Sequence, residues 1–338
     1  MYRNKRQVSR SMTSMRSPVV IFFLVAFAII LAPQSAWSQS LTARVGLLGP
    51  AEEPRFSEIA SGVKQGFREL GYRDDAIRIV EGRTPRGDEA GARATIQAIA
   101  GQHVTVLFVI GSALVRPARD IVPQLPIVFI TPGDPVEAGL VASFARPGGN
   151  VTALTFEYPE LSAKRLQLLR DLVPRVRRVL TLYDARDASP RQGVAAARAG
   201  ATALGITLVE REVRNAEEIA RGLKDLGKID ALLGIPGGIT SDHYQTMVEA
   251  ANSKRIPSIF HTRTRSTRDA VLTYGASDVD VARQAARLLD KILKGANAGD
   301  LPVERPTRLT LTINLKIARS LGLTVPSVLL LQANEIIE

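Results

Sequence analysis

The stretch Pro126-Ile127-Val128-Phe129-Ile130-Thr131-Pro132-Gly133-Asp134-Pro135-Val136-Glu137-Ala138-Gly139 decides how the chain folds. Its first half is a short, wholly apolar run bounded by proline, which predicts a strand buried on both faces of a parallel sheet. Its second half predicts a Pro-Gly-Asp turn leading into a small helix, with Asp134 free to cap that helix, to meet a ligand, or both. In open α/β sheets, ligands sit in the loops beyond the carboxyl ends of the strands.

The same arrangement recurs downstream. Pro257-Ser258-Ile259-Phe260-His261-Thr262 is a second proline-led strand. Arg44–Leu48 pairs with Arg178–Leu182, Leu70-Gly71 with Leu204-Gly205, and Thr105–Gly111 with Asp230–Gly237. The four offsets are 134, 134, 125 and 131 residues, in one order. A nearly constant offset predicts two similar α/β lobes, Rossmann-like, with parallel sheets and a cleft between them. Strand and helix patterns alternate from Leu41 onward, as such lobes require. The helix over 57–70 stops at Gly71, Asp88 caps the next over 88–100, and Ala282, Ala286 and Leu289 face inward on a long helix over 279–293 that Asp278 would cap.

Residues 1–38 read as a secretory signal peptide. Arg3, Lys5, Arg6, Arg10 and Arg16 precede an apolar run of 14 residues, Val19–Ala32, and Ala36-Trp37-Ser38 supplies small residues for cleavage after Ser38. The run is short for a membrane span, which disfavours an uncleaved anchor. Export places the mature protein in the periplasm. Removing these five charges lowers the net charge from +11 to +6. The basic clusters Arg175–Arg178 and Arg263–Arg268 are few, and aromatics make up 5% of the chain, so solvated faces are expected there and nucleic-acid binding is not. With no cysteine, disulfides and thiolate metal sites are excluded.

No phosphate loop, dinucleotide fingerprint or nucleophile elbow is present, and His103, His243 and His261 form no metal-ligand pair. Neither an enzyme nor a cofactor or metal is therefore expected. Binding features are better represented. Gly111-Ser112-Ala113 joins a buried strand to a helix, where free N–H groups suit a carboxylate or simply a cap. Pro236-Gly237-Gly238 holds the equivalent place in the second lobe, as a ligand approach or a sharp turn. Tyr183 and Asp184 follow the first strand of that lobe, as ligand contacts or as turn and packing residues. His261 ends its proline-led strand, as a site residue or a packed histidine. Tyr274, with Tyr183 and Tyr244, could stack on a ligand. The candidate ligand-binding set is Ser112, Ala113, Thr131, Asp134, Tyr183, Asp184, Pro236, Gly237, His261 and Tyr274.

Two longer segments carry a resemblance. Pro126–Val141 followed by Ala145-Arg146-Pro147-Gly148-Gly149-Asn150-Val151-Thr152, and the tail with Leu301-Pro302-Val303-Glu304, Ile313–Pro326 and Ala333–Glu338, resemble ABC-transporter substrate-binding proteins of the tryptophan-uptake type. The resemblance covers essentially the whole mature chain. It implies a type I periplasmic-binding-protein fold whose lobes, 41–155 plus 276–305 and 156–275 plus 306–338, join through a three-segment hinge. It also implies a ligand in the cleft and a membrane permease as partner, with aromatic amino acids bound by characterised members. By position it places Ser112, Thr131 and Asp134 in the cleft-facing loops of lobe one, and Tyr183, Pro236-Gly237 and Tyr274 in those of lobe two. The chain departs from the family in Thr131-Pro132 before Asp134, where a valine-serine pair is common, and in Asn334, where Asp is usual. The expectation is a solute receptor that binds a small polar ligand, an amino acid, and delivers it to the permease. The alternative is a periplasmic sensing module serving a separate signalling receptor.

Overall fold

The computed structural model describes Met1 and residues 43–51, 55–85, 88–157 and 159–338. The signal segment and its cleavage site lie outside the described residues. Thr42–Glu338 forms one compact unit.

Its first sheet has five strands, β1 (Ala43–Pro50), β2 (Ile77–Thr84), β3 (Val106–Ile110), β4 (Ile127–Pro132) and β5 (Val151–Glu157), in the order β2-β1-β3-β4-β5. All its pairings are parallel. The second sheet has seven, β6 (Arg178–Tyr183), β7 (Thr207–Glu212), β8 (Ala231–Leu233), β9 (Ser258–Phe260), β10 (Leu272–Gly275), β11 (Thr310–Asn314) and β12 (Glu335–Ile337). Its order, β7-β6-β8-β9-β10-β11-β12, repeats that of the first sheet and adds two strands. The recurring landmarks of the sequence are thus equivalent strands of two sheets. One pairing departs from the expected parallel pattern: β10 and β11 are antiparallel. Between them the chain leaves the second sheet and packs against the first, so it re-enters running the other way.

The helices are α1 (Arg55–Glu69), α2 (Glu89–Ala100), α3 (Val115–Ile121, entered through a 3₁₀ turn at Ser112–Leu114), α4 (Pro159–Leu172), α5 (Ala188–Ala203), α6 (Ala216–Gly222), α7 (Tyr244–Ser253), α8 (Asp278–Leu293), α9 (Leu315–Ser320) and α10 (Ser327–Gln332). Strand β4 explains why helices cover both faces of the first sheet. Val128 and Ile130 pack with α1 and α8, while Ile127 and Phe129 pack with α2 and α3. All four side chains are fully buried. Asp88 caps α2, accepting from the Gly91 N–H at 2.8 Å. Two local expectations are corrected. Asp134 caps a single turn and no helix follows, because the chain leaves that turn at Gly139, in the left-handed region at φ of 66°, and the Leu140 N–H donates back to the Pro135 carbonyl. Ser277, not Asp278, caps α8. Both basic clusters keep their arginines on the surface.

Helices α1 and α8 approach closely because glycine faces alanine. A Cβ on Gly62 would lie 2.5 Å from the Val279 carbonyl oxygen and 2.8 Å from Ala282 Cβ. One on Gly66 would lie 2.5 Å from the Arg283 carbonyl oxygen and 2.6 Å from Ala286 Cβ. The first-lobe and second-lobe sheets meet in a buried polar cluster. Arg165, with no exposed surface, donates from Nε to the Tyr274 carbonyl at 2.8 Å. Arg55 grips buried Asp278 with two bonds, 3.0 and 3.2 Å long. His261 stacks on Phe156 with ring centres 5.9 Å apart and tilts against Tyr244 at 5.7 Å. Neither of its ring nitrogens has a hydrogen-bond partner among the described residues. Burial pushes the His261 pKa down to about 3, with Arg165 and Arg55 adding to the fall and Asp278 opposing it.

Two stability predictions follow from these contacts. Replacing Gly62 and Gly66 together by Ala overpacks the α1–α8 seam beyond what the better helix former returns. It is expected to cost about 1–3 kcal/mol, read as a lower urea midpoint at unchanged slope. His261 has a folded-state pKa below its ordinary 6.5, so its neutral form is favoured and the fold loses stability as pH falls from about 6.5 toward 3. Asp278, which Arg55 holds below its ordinary 3.8 against the opposing effect of burial, titrates below most of that window. His261→Phe keeps a ring in place and removes the titration. Urea titrations at pH 7, 5.5 and 4 are expected to show a smaller loss in the variant than in the parent chain.

Candidate functional site

At the carboxyl end of the first sheet lies a cavity of about 370 Å³, within the size range of small-molecule sites. Parallel pairing puts all the strand ends on one edge, so the residues that terminate the strands form its floor: Pro50 from β1, Thr84 from β2, Ile110 from β3 and Pro132 from β4. The Gly111–Leu114 turn makes one wall. Gly111 takes φ of 92°, a left-handed value that needs glycine, and this bends the chain sharply from β3 into the 3₁₀ turn. The α2 start (Asp88, Glu89, Ala92, Arg93) and α3 (Arg116, Pro117, Asp120) make the sides. Arg55 reaches in from the N-terminus of α1, while Asp187, Gly237 and Gly238 close the cavity from the second lobe.

Asp187 is the best-determined polar group of this site. It caps α5, with Oδ1 accepting from the Ser189 N–H at 3.0 Å. The same oxygen accepts from Ser112 Oγ across the cleft at 3.4 Å, and Oδ2 accepts from the Gly238 N–H at 3.1 Å. Three donors from both lobes thus fix one carboxylate on the cavity wall. Arg55 supplies the opposite charge; burial works against its cationic form, but the Asp278 carboxylate more than offsets this and raises its pKa. Beside the charged sides runs an apolar face: Pro50, Pro85, Pro117 and Pro132 with Ile110, Leu114 and Ala92. Gly237, at φ of 105°, brings lobe-two backbone against the first lobe; a Cβ there would stand 3.3 Å from Pro132 Cγ.

Of the ten candidate residues, Ser112, Ala113 and Gly237 come together in this cavity. Pro236 is buried beside Gly237. Thr131 is buried at the seam between lobes, bonded to its neighbour's carbonyl and 3.4 Å from Ser189 Oγ. Asp134 spends its carboxylate on its own turn. Tyr183 is the last residue of β6; strand alternation turns its ring into the second-lobe core, where its hydroxyl donates to Glu212 at 3.3 Å. Asp184 pairs with Arg186 at 2.7 Å. Tyr274 packs against the same core as Tyr183, and His261 lies in the cluster where the sheets meet. Gly238 of the Pro236-Gly237-Gly238 loop also lines the cavity, and the sequence reading missed Asp187 and Arg55. Asp187 carried a signal, a capping-type residue just ahead of an alanine-rich run, whereas Arg55 carried none.

Among the described residues, no group of three or more His, Cys, Asp or Glu is placed to hold a metal ion. Among them, too, no helix is long and apolar enough to cross a membrane. The arrangement is suited to non-covalent capture of a small molecule bearing both charges and an apolar body.

Comparison with known proteins agrees. A tyrosine-binding protein of Clostridioides difficile is 24% identical over 284 residues, spanning 82% of this chain and 81% of that protein. A Streptococcus pneumoniae ABC domain in complex with L-Trp superposes with a TM-score of 0.79 at 25% identity, over 88% of this chain and 100% of the other. A conserved domain protein from Vibrio cholerae superposes equally well at 24% identity, over 87% and 99% of the two chains. The fold is that of type I periplasmic binding proteins. The sequence profile of the ABC transporter substrate binding protein family matches residues 44–337, nearly everything after the N-terminal segment, and the chain therefore belongs to that family.

Proposed function

We propose that this protein captures a free amino acid, an aromatic one being well suited, in the cleft between its lobes and hands it to a membrane permease without covalent chemistry. The observation that carries the reading is Asp187, a carboxylate held by three donors on a wall shared by both lobes. A ligand ammonium group meets it there, the ligand carboxylate lies toward Arg55, and the proline-lined wall receives the side chain. Flat proline and aliphatic surfaces accept an aromatic ring through dispersion and exclude water from it. The L-Trp complex and the tyrosine-binding relative support this choice of ligand.

Lobe one comprises 41–155 plus 276–305 and lobe two 156–275 plus 306–338, with three crossings as the hinge. The return of α8 to pack against α1 supports that division. The permease is the partner that receives the ligand. The basic, apolar N-terminal segment supports export to the periplasm and cleavage after Ser38.

Three measurements test these assignments. Melting curves of residues 39–338 are expected to rise with concentration of L-tryptophan or L-tyrosine, as mass action requires, and not with their N-acetyl derivatives. Asp187→Ala is expected to weaken binding about 10- to 100-fold by calorimetry, the scale for leaving a charged partner unpaired; an unchanged affinity removes Asp187 from the site. For localisation, mass spectrometry of the periplasmic fraction is expected to show a chain beginning at Gln39. A full-length mass in the membrane fraction would make the segment an anchor instead.

A further inference from the structure

The two lobes touch through more than a ligand-sized cavity. The Asp134 N–H donates to Gln192 Oε1 at 2.7 Å, and Gln192 Nε2 lies 3.4 Å from the Asp134 carbonyl, which accepts from it. One side-chain amide thus answers one backbone amide in both directions. Beside this pair, Thr131 Oγ1 and Ser189 Oγ lie 3.4 Å apart, and Ser112 Oγ reaches Asp187. All the second-lobe members, Asp187, Ser189 and Gln192, sit on the cap and first two turns of α5. The first-lobe loop that receives them is held rigid: Thr155 Oγ1 donates to the Gly133 carbonyl at 2.5 Å, and the Asp134 carboxylate ties down the next two N–H groups. Gly133 has φ of 89°, and a Cβ there would run into Gln192 Oε1 and stand 3.2 Å from Ser189 Cα. The absence of that side chain is what lets α5 seat.

We infer that Gln192 is a positioning residue that latches α5 to the 131–134 loop, so that the closed arrangement forms before ligand arrives and sets how long ligand stays. The Gln192–Asp134 and Thr131–Ser189 contacts involve no ligand, and the latch stands whichever molecule the cleft takes. Only its role in steadying Asp187 for an ammonium group rests on the amino-acid reading.

The absence of native cysteine allows a direct test. In ligand-free Thr131→Cys/Ser189→Cys protein, oxidation is expected to form the 131–189 disulfide readily, and addition of Gln192→Ala to slow its formation about tenfold, the scale of two lost hydrogen bonds. No disulfide in the folded, ligand-free double variant, or formation indifferent to Gln192→Ala, overturns the inference. If the cysteine pair does not fold, small-angle scattering decides: ligand-free Gln192→Ala, shown to be folded by circular dichroism, is expected to have a larger radius of gyration than the parent, and equal radii overturn the latch. With L-tryptophan as probe, Gln192→Ala is expected to raise the dissociation rate about tenfold while the association rate stays within twofold. A loss confined to the association rate counts against it. If L-tryptophan does not bind the parent, the amino-acid reading fails, and the disulfide and scattering results still decide the latch.

Discussion

Burial of β4 on both faces is the constraint on which the rest of the first lobe depends. Ile127, Val128, Phe129 and Ile130 have no exposed surface, and alternate side chains feed two separate apolar clusters. A strand of this kind cannot sit at a sheet surface, so helices must cover both faces, and parallel pairing then requires long crossovers, which helices make everywhere in the first sheet but between β4 and β5. With both faces closed, the carboxyl edge is where unpaired backbone and polar side chains can gather. The cavity and its Gly111 turn lie on that edge, and the second lobe brings Asp187 and Gly237 from the same kind of edge to meet it.

The buried polar cluster between the sheets solves a different problem. Chains that cross between lobes bring backbone and charge into the interior, and each group there needs a partner. Arg165 answers a carbonyl of β10, and Arg55 answers Asp278 at the first turn of α8, where an acidic residue is also favoured by the helix dipole. His261 is the exception, packed between rings with both nitrogens unanswered. Burial makes its imidazolium costly, and two arginines add to that cost while the Asp278 carboxylate opposes it. Arg55 belongs to this cluster and to the cavity wall at once, so a cation on that wall is braced by the same ion pair that stabilises the join.

What could be read from the sequence follows from these forces. The strands were legible because two-sided burial writes a continuous apolar run, and the duplication was legible because equivalent runs recur at a steady offset. The inward face of α8 was legible at Ala282, Ala286 and Leu289, though not that Gly62 and Gly66 would answer the two alanines. The site was only partly legible. Ser112, Ala113 and Gly237 follow strands directly, and their place is set by the sheet. Asp187 depends on how long the loop after β6 runs before α5 begins. Tyr183 and Asp184 also stand at the end of a strand, but one belongs to its alternating face and the other to a local ion pair. The antiparallel entry of β11 is a consequence of tertiary path, and no local pattern records it.

A receptor that must also release its ligand cannot close through a large apolar seam. Water-excluding contact scales with area, and an extensive greasy interface would hold the lobes together regardless of ligand or permease. The seam around the 131–134 loop is small and polar: one short hydrogen bond, three contacts of 3.4 Å, and a close backbone approach permitted by Gly133 and Gly237. Net contributions of such bonds are individually about 1 kcal/mol. A handful of them can favour closure without fixing it, leaving an equilibrium that a ligand's differential affinity can shift. Polar contacts are also directional, so they define one closed geometry, the one that places Asp187 on the cavity wall. Weak closure and precise registration are therefore met by the same few residues at the start of α5.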